Sequence, residues 1–187
     1  MAFTAVYDAN VLHPASTRDL LIRLGTTGLF QARWTEAILD EMVDSVLRRQ
    51  PDLSRERLER TRHLMCEAVP DCLVTGYESL VAGLELPDPD DRHVLAAAIR
   101  CHAQVIVTDN LGDFSANQLG PYTIEAQSCD DFVLHLVDLA PATVAATVQR
   151  QADALVNPRQ TLDDLIERLR HNGLARAMAA LEAHLRP

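Results

Sequence analysis

A chain of 187 residues, 48% of them hydrophobic, has room for one ordinary domain with a real core, or for one domain with an appended helical piece, but not for two full domains. No apolar run approaches the roughly 20 residues that a spanning helix needs, which excludes a membrane home, and the first residues lack a secretory signal, so a cytoplasmic location is expected. A net charge of −10 argues against a protein that holds nucleic acid by bulk electrostatics, yet it leaves room for an enzyme that meets RNA at one local patch.

In chain order, residues 3–7 read as a buried strand that ends on Asp8, with Asn10 two residues on. STRDLLIRLG reads as a helix capped by Ser16 or Thr17 and closed by Gly25. Residues 29–34 give a second strand, and Thr35 caps the helix that Pro51 ends. Ser54 caps a further helix running to Ala68. CLVTGY is expected as a third strand and ESLVAGLE as a short helix, after which PDPDD breaks the chain before the helix RHVLAAAIRCH. VIVT, residues 105–108, is the clearest strand, continuous and β-branched, and YTIEA, residues 122–126, is a fifth, followed by the helix SCDDFVLHLV. Alternating strands and helices with short loops predict an α/β fold: a parallel sheet covered by helices on both faces, with its functional edge at the carboxyl ends of the strands. From Leu139 the pattern is helix only, in three segments, which reads as a helical extension over residues 138–187 appended to a domain over residues 1–137.

All 17 basic residues are Arg, and six of them fall between Arg48 and Arg62. On the helix from Ser54, Arg57 and Arg60 lie three apart and share a face, which makes them candidate contacts for RNA phosphate. Arg55 and Arg62 share another face, suited to Glu56 and Glu59 or to an acidic partner protein; the competing reading is a solvated helix laced with exposed ion pairs. Cys66, Cys72, Cys101 and Cys129 show no C-x-x-C spacing, so they suggest neither zinc nor a disulfide framework.

Four acidic points carry the candidate chemistry: Asp8 after the first strand, Glu41 at the margin of its helix's apolar arc, the pair Asp90 and Asp91 opening RHVLAAAI, and Asp109 with Asp113 in VTDNLGDF. Singly, each has an ordinary explanation as a helix cap, a turn former or a solvated acid. Together they converge, because Asp8 and Asp109 both end strands on one edge of a parallel sheet, and Asp91 precedes Val94 and Leu95 by three and four residues, at the first turn of its helix's buried face. Clustered carboxylates repel, and a divalent cation removes that penalty. An all-oxygen set favours Mg²⁺ or Mn²⁺ over zinc, and phosphodiester hydrolysis is the natural chemistry of such ions.

At these residues the chain resembles the PIN-domain ribonucleases, whose fold is the flap-nuclease-like parallel sheet. VYDANVL looks like their opening D-[TA]-N, TEAILDEMV like their acid-bearing second helix, DDRHVLAAA like their D-x-x-[VIL]-A-A-A helix, and VTDNLGDF like their strand-end motif. The resemblance covers residues 1–137 and implies a Mg²⁺- or Mn²⁺-dependent endoribonuclease of the kind found as VapC-type toxins, which a cognate antitoxin protein holds inactive and which form homodimers. It implies metal-site acids at Asp8, Glu41 and Asp91, with Asn10 orienting Asp8 or its loop. For the fourth acid Asp109, nearest the strand end beside Thr108, is the first choice; the alternative places Asn110 at the usual position with Asp113 supplying the charge.

Two other classes compete. A degenerate PIN fold would serve only as a protein-binding module. A haloacid-dehalogenase-type phosphatase also opens with an acid at a strand end, but it needs a second Asp where this chain has Asn10 and a Lys that this chain lacks.

Overall fold

The computed structural model describes residues 2–185. Strand β1 (Phe3–Tyr7) forms the centre of the sheet, and all of its pairings are parallel. β2 (Phe30–Arg33) lies on one side of it, and β3 (Val105–Val107) followed by β4 (Glu125–Gln127) on the other, giving the order β2-β1-β3-β4. The chain therefore leaves β1 in one direction and returns to its opposite flank. In an open parallel sheet, that reversal opens a crevice beyond the carboxyl ends of the two strands between which it occurs, here β1 and β3.

Helix α1 (Ala15–Gly25) begins earlier than Ser16 or Thr17 would set it. Pro14 takes the cap position with φ of −72°, which suits a helix start, and Thr17 is buried inside the helix. Helices α2 (Glu36–Arg49) and α3 (Arg55–Ala68) start where expected, with the hydroxyls of Thr35 and Ser54 accepting from the N–H groups of Ile38 and Arg57. The expected strand CLVTGY is not one. Asp71 and Gly76 both take positive φ, so the segment between them is too short to run as a strand and makes a single parallel bridge, Leu73 to Trp34, beside the end of β2. Short α4 (Glu78–Val81) follows, then α5 (Arg92–Arg100), which packs on β1 and β3. The strand expected over residues 122–126 shifts to Glu125–Gln127, because a short helix α6 (Ala116–Leu119) and a 3-10 turn occupy the residues before it and Thr123 adopts a left-handed conformation.

Period-two alternation puts Phe3, Ala5 and Tyr7 of β1 on one face of the sheet. There Phe3 stacks on Phe30 and Tyr7 on Trp34, and Phe132 of α7 (Cys129–Leu139) meets Phe30 edge-on with ring centroids 5.1 Å apart. The Tyr7 hydroxyl, fully buried, donates to the Leu21 carbonyl of α1 at 3.0 Å, which gives this polar atom of the aromatic layer a partner. Helices α8 (Pro141–Ala154), α9 (Leu162–His171) and α10 (Ala175–Leu185) pack against α1 and α7, and their buried residues join the same core as the sheet. The helix expected to run to Pro187 is seen to Leu185; its last two residues lie outside the described residues. Among the described residues no single helix is long and apolar enough to cross a membrane.

Candidate metal centre

The crevice between β1 and β3 is tied shut at its base by polar side chains. Asp8 follows β1 and is 4% exposed. Its Oδ2 accepts from the Thr108 hydroxyl and from Asn10 Nδ2, each at 2.7 Å. Asn10 also donates to Thr108 Oγ1 and accepts the Asp109 N–H through its side-chain oxygen, so a single amide bridges the ends of both strands. Burial raises the pKa of Asp8, and the hydrogen bonds from Thr108 and the Ala9 backbone only partly offset this. Asp8 caps no helix: its carboxylate makes no capping bond to the turn Ala9–Leu12.

Asp91 stands at the start of α5 and likewise makes no capping bond. Asp88 takes the capping duty instead, accepting from the Asp90 N–H at 2.9 Å and closing the 3-10 turn Pro89–Asp91. Asp88, Asp91 and Asp113 bring carboxylate oxygens within 4.8 Å of one another. The pKa of Asp91 is pushed up to about 6, first by burial and then by the charges of Asp8, Asp88, Asp113 and Glu41. Asn110 holds the far side of the cluster, donating to Asp91 Oδ2 at 3.3 Å and to Asp113. Glu41, on α2, lies 2.9 Å from His93 Nε2, close enough for an ion pair. Burial alone would lower the His93 pKa; Glu41, then Asp8 and Asp91, outweigh it and raise it.

The structure thus brings Asp8, Asn10, Glu41, Asp91, Thr108, Asn110 and Asp113 to one place. Asp109 is turned elsewhere: its Oδ1 accepts the Cys129 N–H at 2.9 Å and anchors the start of α7. Asp90 is exposed, and its carboxylate takes no part in the hydrogen bonds of the site. Asp88 and His93 belong to the cluster although the motifs of the sequence do not select them. The signal for Asp88 lies in the alternating acids of PDPDD, a stretch that on its own reads as a chain break. On α3, Arg62 is engaged by Glu36, Asp40 and Glu59, and Arg55 by Asp44, whereas Arg57 and Arg60 are exposed.

The donors are all oxygen, and burial together with the charges of Asp8, Asp88, Asp113 and Glu41 makes the ionised form of Asp91 costly without a cation. A hard divalent cation fits this set, with Asp88, Asp91 and Asp113 as the residues that could hold it and the charge of Asp8 close beside them. The electrostatics also predict a pH dependence. A raised carboxyl pKa means that the folded state binds the Asp91 proton more tightly than the unfolded chain does, so folding stability falls as that proton is lost. In EDTA the melting temperature is expected to drop as pH rises from 3.8 through about 6, and Asp91→Asn is expected to flatten this decline. A melting series in which wild type and variant run parallel across that window would disprove the assignment.

Comparison with known proteins identifies the family to which this fold belongs. A family model described as "PIN domain" matches residues 4–112, and one described as "VapC50 C-terminal domain" matches residues 129–183. The chain is 42% identical over 94 residues to "Putative ribonuclease VapC50" of Mycobacterium tuberculosis (strain ATCC 25618 / H37Rv), an alignment that covers 50% of this chain and 55% of that protein. The chain therefore spans about half the length of the curated relative it matches. No solved structure matches it. With the PIN-domain model running from β1 past β3, over more than half of its residues, the chain belongs to the PIN-domain family.

Proposed function

We propose that the protein is a metal-dependent endoribonuclease that hydrolyses RNA phosphodiester bonds, and that it is the toxin of a type II toxin–antitoxin pair. The observation that carries the catalytic reading is the cluster itself: Asp88, Asp91 and Asp113 within 4.8 Å, beside a buried Asp8, at the switch point of a parallel sheet. The ribonuclease name of its relative supports the substrate class. Bound there, Mg²⁺ or Mn²⁺ supplies an acidified water and stabilises charge on the phosphoryl oxygens.

The chain's own groups do the rest. Asn10 and Thr108 fix Asp8 in one rotamer with Oδ2 engaged, and Asn110 sets the spacing between Asp91 and Asp113. Glu41 is exposed to solvent and oriented by His93, which suits it to accept a proton from the attacking water. Asp113 rather than Asp109 is the fourth acid in this proposal. Residues 1–137 carry the nuclease and residues 138–187 the helical extension, in a cytoplasmic protein that acts as a homodimer and is held inactive by a cognate antitoxin.

Purified protein is expected to cleave RNA with Mg²⁺ or Mn²⁺ and to stop in EDTA. Undiminished cleavage in EDTA overturns the mechanism. A titration showing no Mn²⁺ binding points instead to a degenerate fold that only binds protein.

A further inference from the structure

A second site follows from where the protein leaves its positive charge. Several Arg residues are neutralised by nearby acids, as at Arg55, Arg62, Arg170 and Arg176. Arg49, in the last turn of α2, and Arg168, on α9, are both exposed, and neither makes an ion pair among the described residues; Arg168 acts on Asp164, one turn back, only at longer range. These two residues line one cleft of about 330 Å³, together with Gln50, Asn172 and His13. The cleft is built by two parts of the chain that are far apart in sequence, the nuclease domain and the helical extension.

Its position relative to the acid cluster is fixed by α2. Glu41, Ser45 and Arg49 are spaced four apart and lie along one side of that helix, spanning about 12 Å. His13 sits between the two ends. Its Nδ1 lies 3.5 Å from Ser45 Oγ, and its imidazole feels Arg49, Arg48 and Arg18 as well as Glu41. The cation-lined cleft thus lies about 12 Å along α2 from the acid-lined end. Guanidinium forks and side-chain amides match phosphate oxygens, and a strand whose scissile phosphate lies at the acids would reach the cleft within a few nucleotides.

We propose that this cleft binds a backbone phosphate of the RNA strand flanking the cleavage site, with Arg49 contributed by the nuclease domain and Arg168 by the helical extension. This rests on the ribonuclease reading above. It gives the extension a direct part in substrate binding.

The test measures binding of a short, fluorescein-labelled, single-stranded RNA of mixed sequence to the full chain in EDTA across a salt series, with Mg²⁺-dependent cleavage followed alongside. The double variant Arg49→Gln/Arg168→Gln is expected to weaken binding roughly tenfold and to make the salt slope shallower by about 0.7 for each phosphate no longer held, while Arg55→Gln leaves both unchanged. In cleavage the loss is expected in KM rather than kcat. Unchanged affinity and slope in the double variant, with wild-type cleavage intact, overturns the cleft and spares the ribonuclease reading. An equal loss in Arg55→Gln overturns it as a general effect of charge. A lowered melting temperature with unchanged RNA binding assigns the two Arg to their helix C-termini and overturns it as well. Binding of a poly-glutamate peptide that the double variant loses, with RNA binding kept, assigns the cleft to an acidic protein segment and also overturns the proposal. A wild type that neither binds nor cleaves RNA removes both readings.

Discussion

Asp91→Asn and Asp113→Asn are each expected to reduce RNA cleavage on the order of 10³-fold while the protein keeps its fold. Both carboxylates lie in the cluster, and neither caps a helix, so amide replacement removes a charge from the proposed ligand set while the amide oxygen can still accept from Asn110. Relief of repulsion should raise the melting temperature of the metal-free Asp91→Asn protein above neutral pH, since the charges of Asp8, Asp88, Asp113 and Glu41 all oppose ionisation of this group. Asp109→Asn is the informative counterpart. Its carboxylate receives the Cys129 N–H, a bond that the amide oxygen of Asn still accepts, so this variant is expected to keep wild-type stability and to spare the chemistry. Cleavage rates set beside thermal melts for the three variants decide the matter. Loss of activity in Asp109→Asn with full activity in Asp113→Asn would reverse the proposed ligand set.

Phe132→Ala should be the most damaging single truncation of the core, at about 3–5 kcal/mol. Phe132 is 1% exposed and meets Phe3, Tyr7 and Phe30 edge-on, so one ring couples α7 to two strands. Removing it leaves a void between the helix and the sheet that the stacked rings of β1 and β2 cannot collapse to fill. Because the start of α7 also carries the N–H that Asp109 receives, a loosened α7 should weaken the loop that presents Asn110 and Asp113. Urea denaturation checks the first effect. A midpoint within error of wild type would show that the aromatic layer is not what holds α7 in place.

The parts of this molecule legible in the sequence are those set by local chemistry. Thr35 and Ser54 announce their helices because a hydroxyl before an amphipathic run has one good use there. Asp8 is legible because an acid at the end of a buried strand needs a partner, and Asn10 and Thr108 are those partners. The choice between Asp109 and Asp113 is not, since it turns on an N–H from Cys129, twenty residues away. Nor is the absence of a strand at CLVTGY: its apolar residues suit a sheet, but Asp71 and Gly76 turn the chain at both ends. Asp88 is obscured by its own capping bond, which gives the residue an ordinary structural purpose as well as a place among the acids.

The hydrogen bond from Gln151 Nε2 to the Ser16 carbonyl joins residues 135 apart, and it marks where α8 covers α1. A ribosome delivers these helices in order, at about 5–20 residues per second, so α1 waits from several to tens of seconds for the surface that buries it. Until then the burial of α1, and with it the footing of Arg18, which clamps the Leu12 and His13 carbonyls just beyond the Asp8–Asn10 turn, is incomplete. A nascent chain therefore reaches the finished geometry around the proposed site only after α8 has been made.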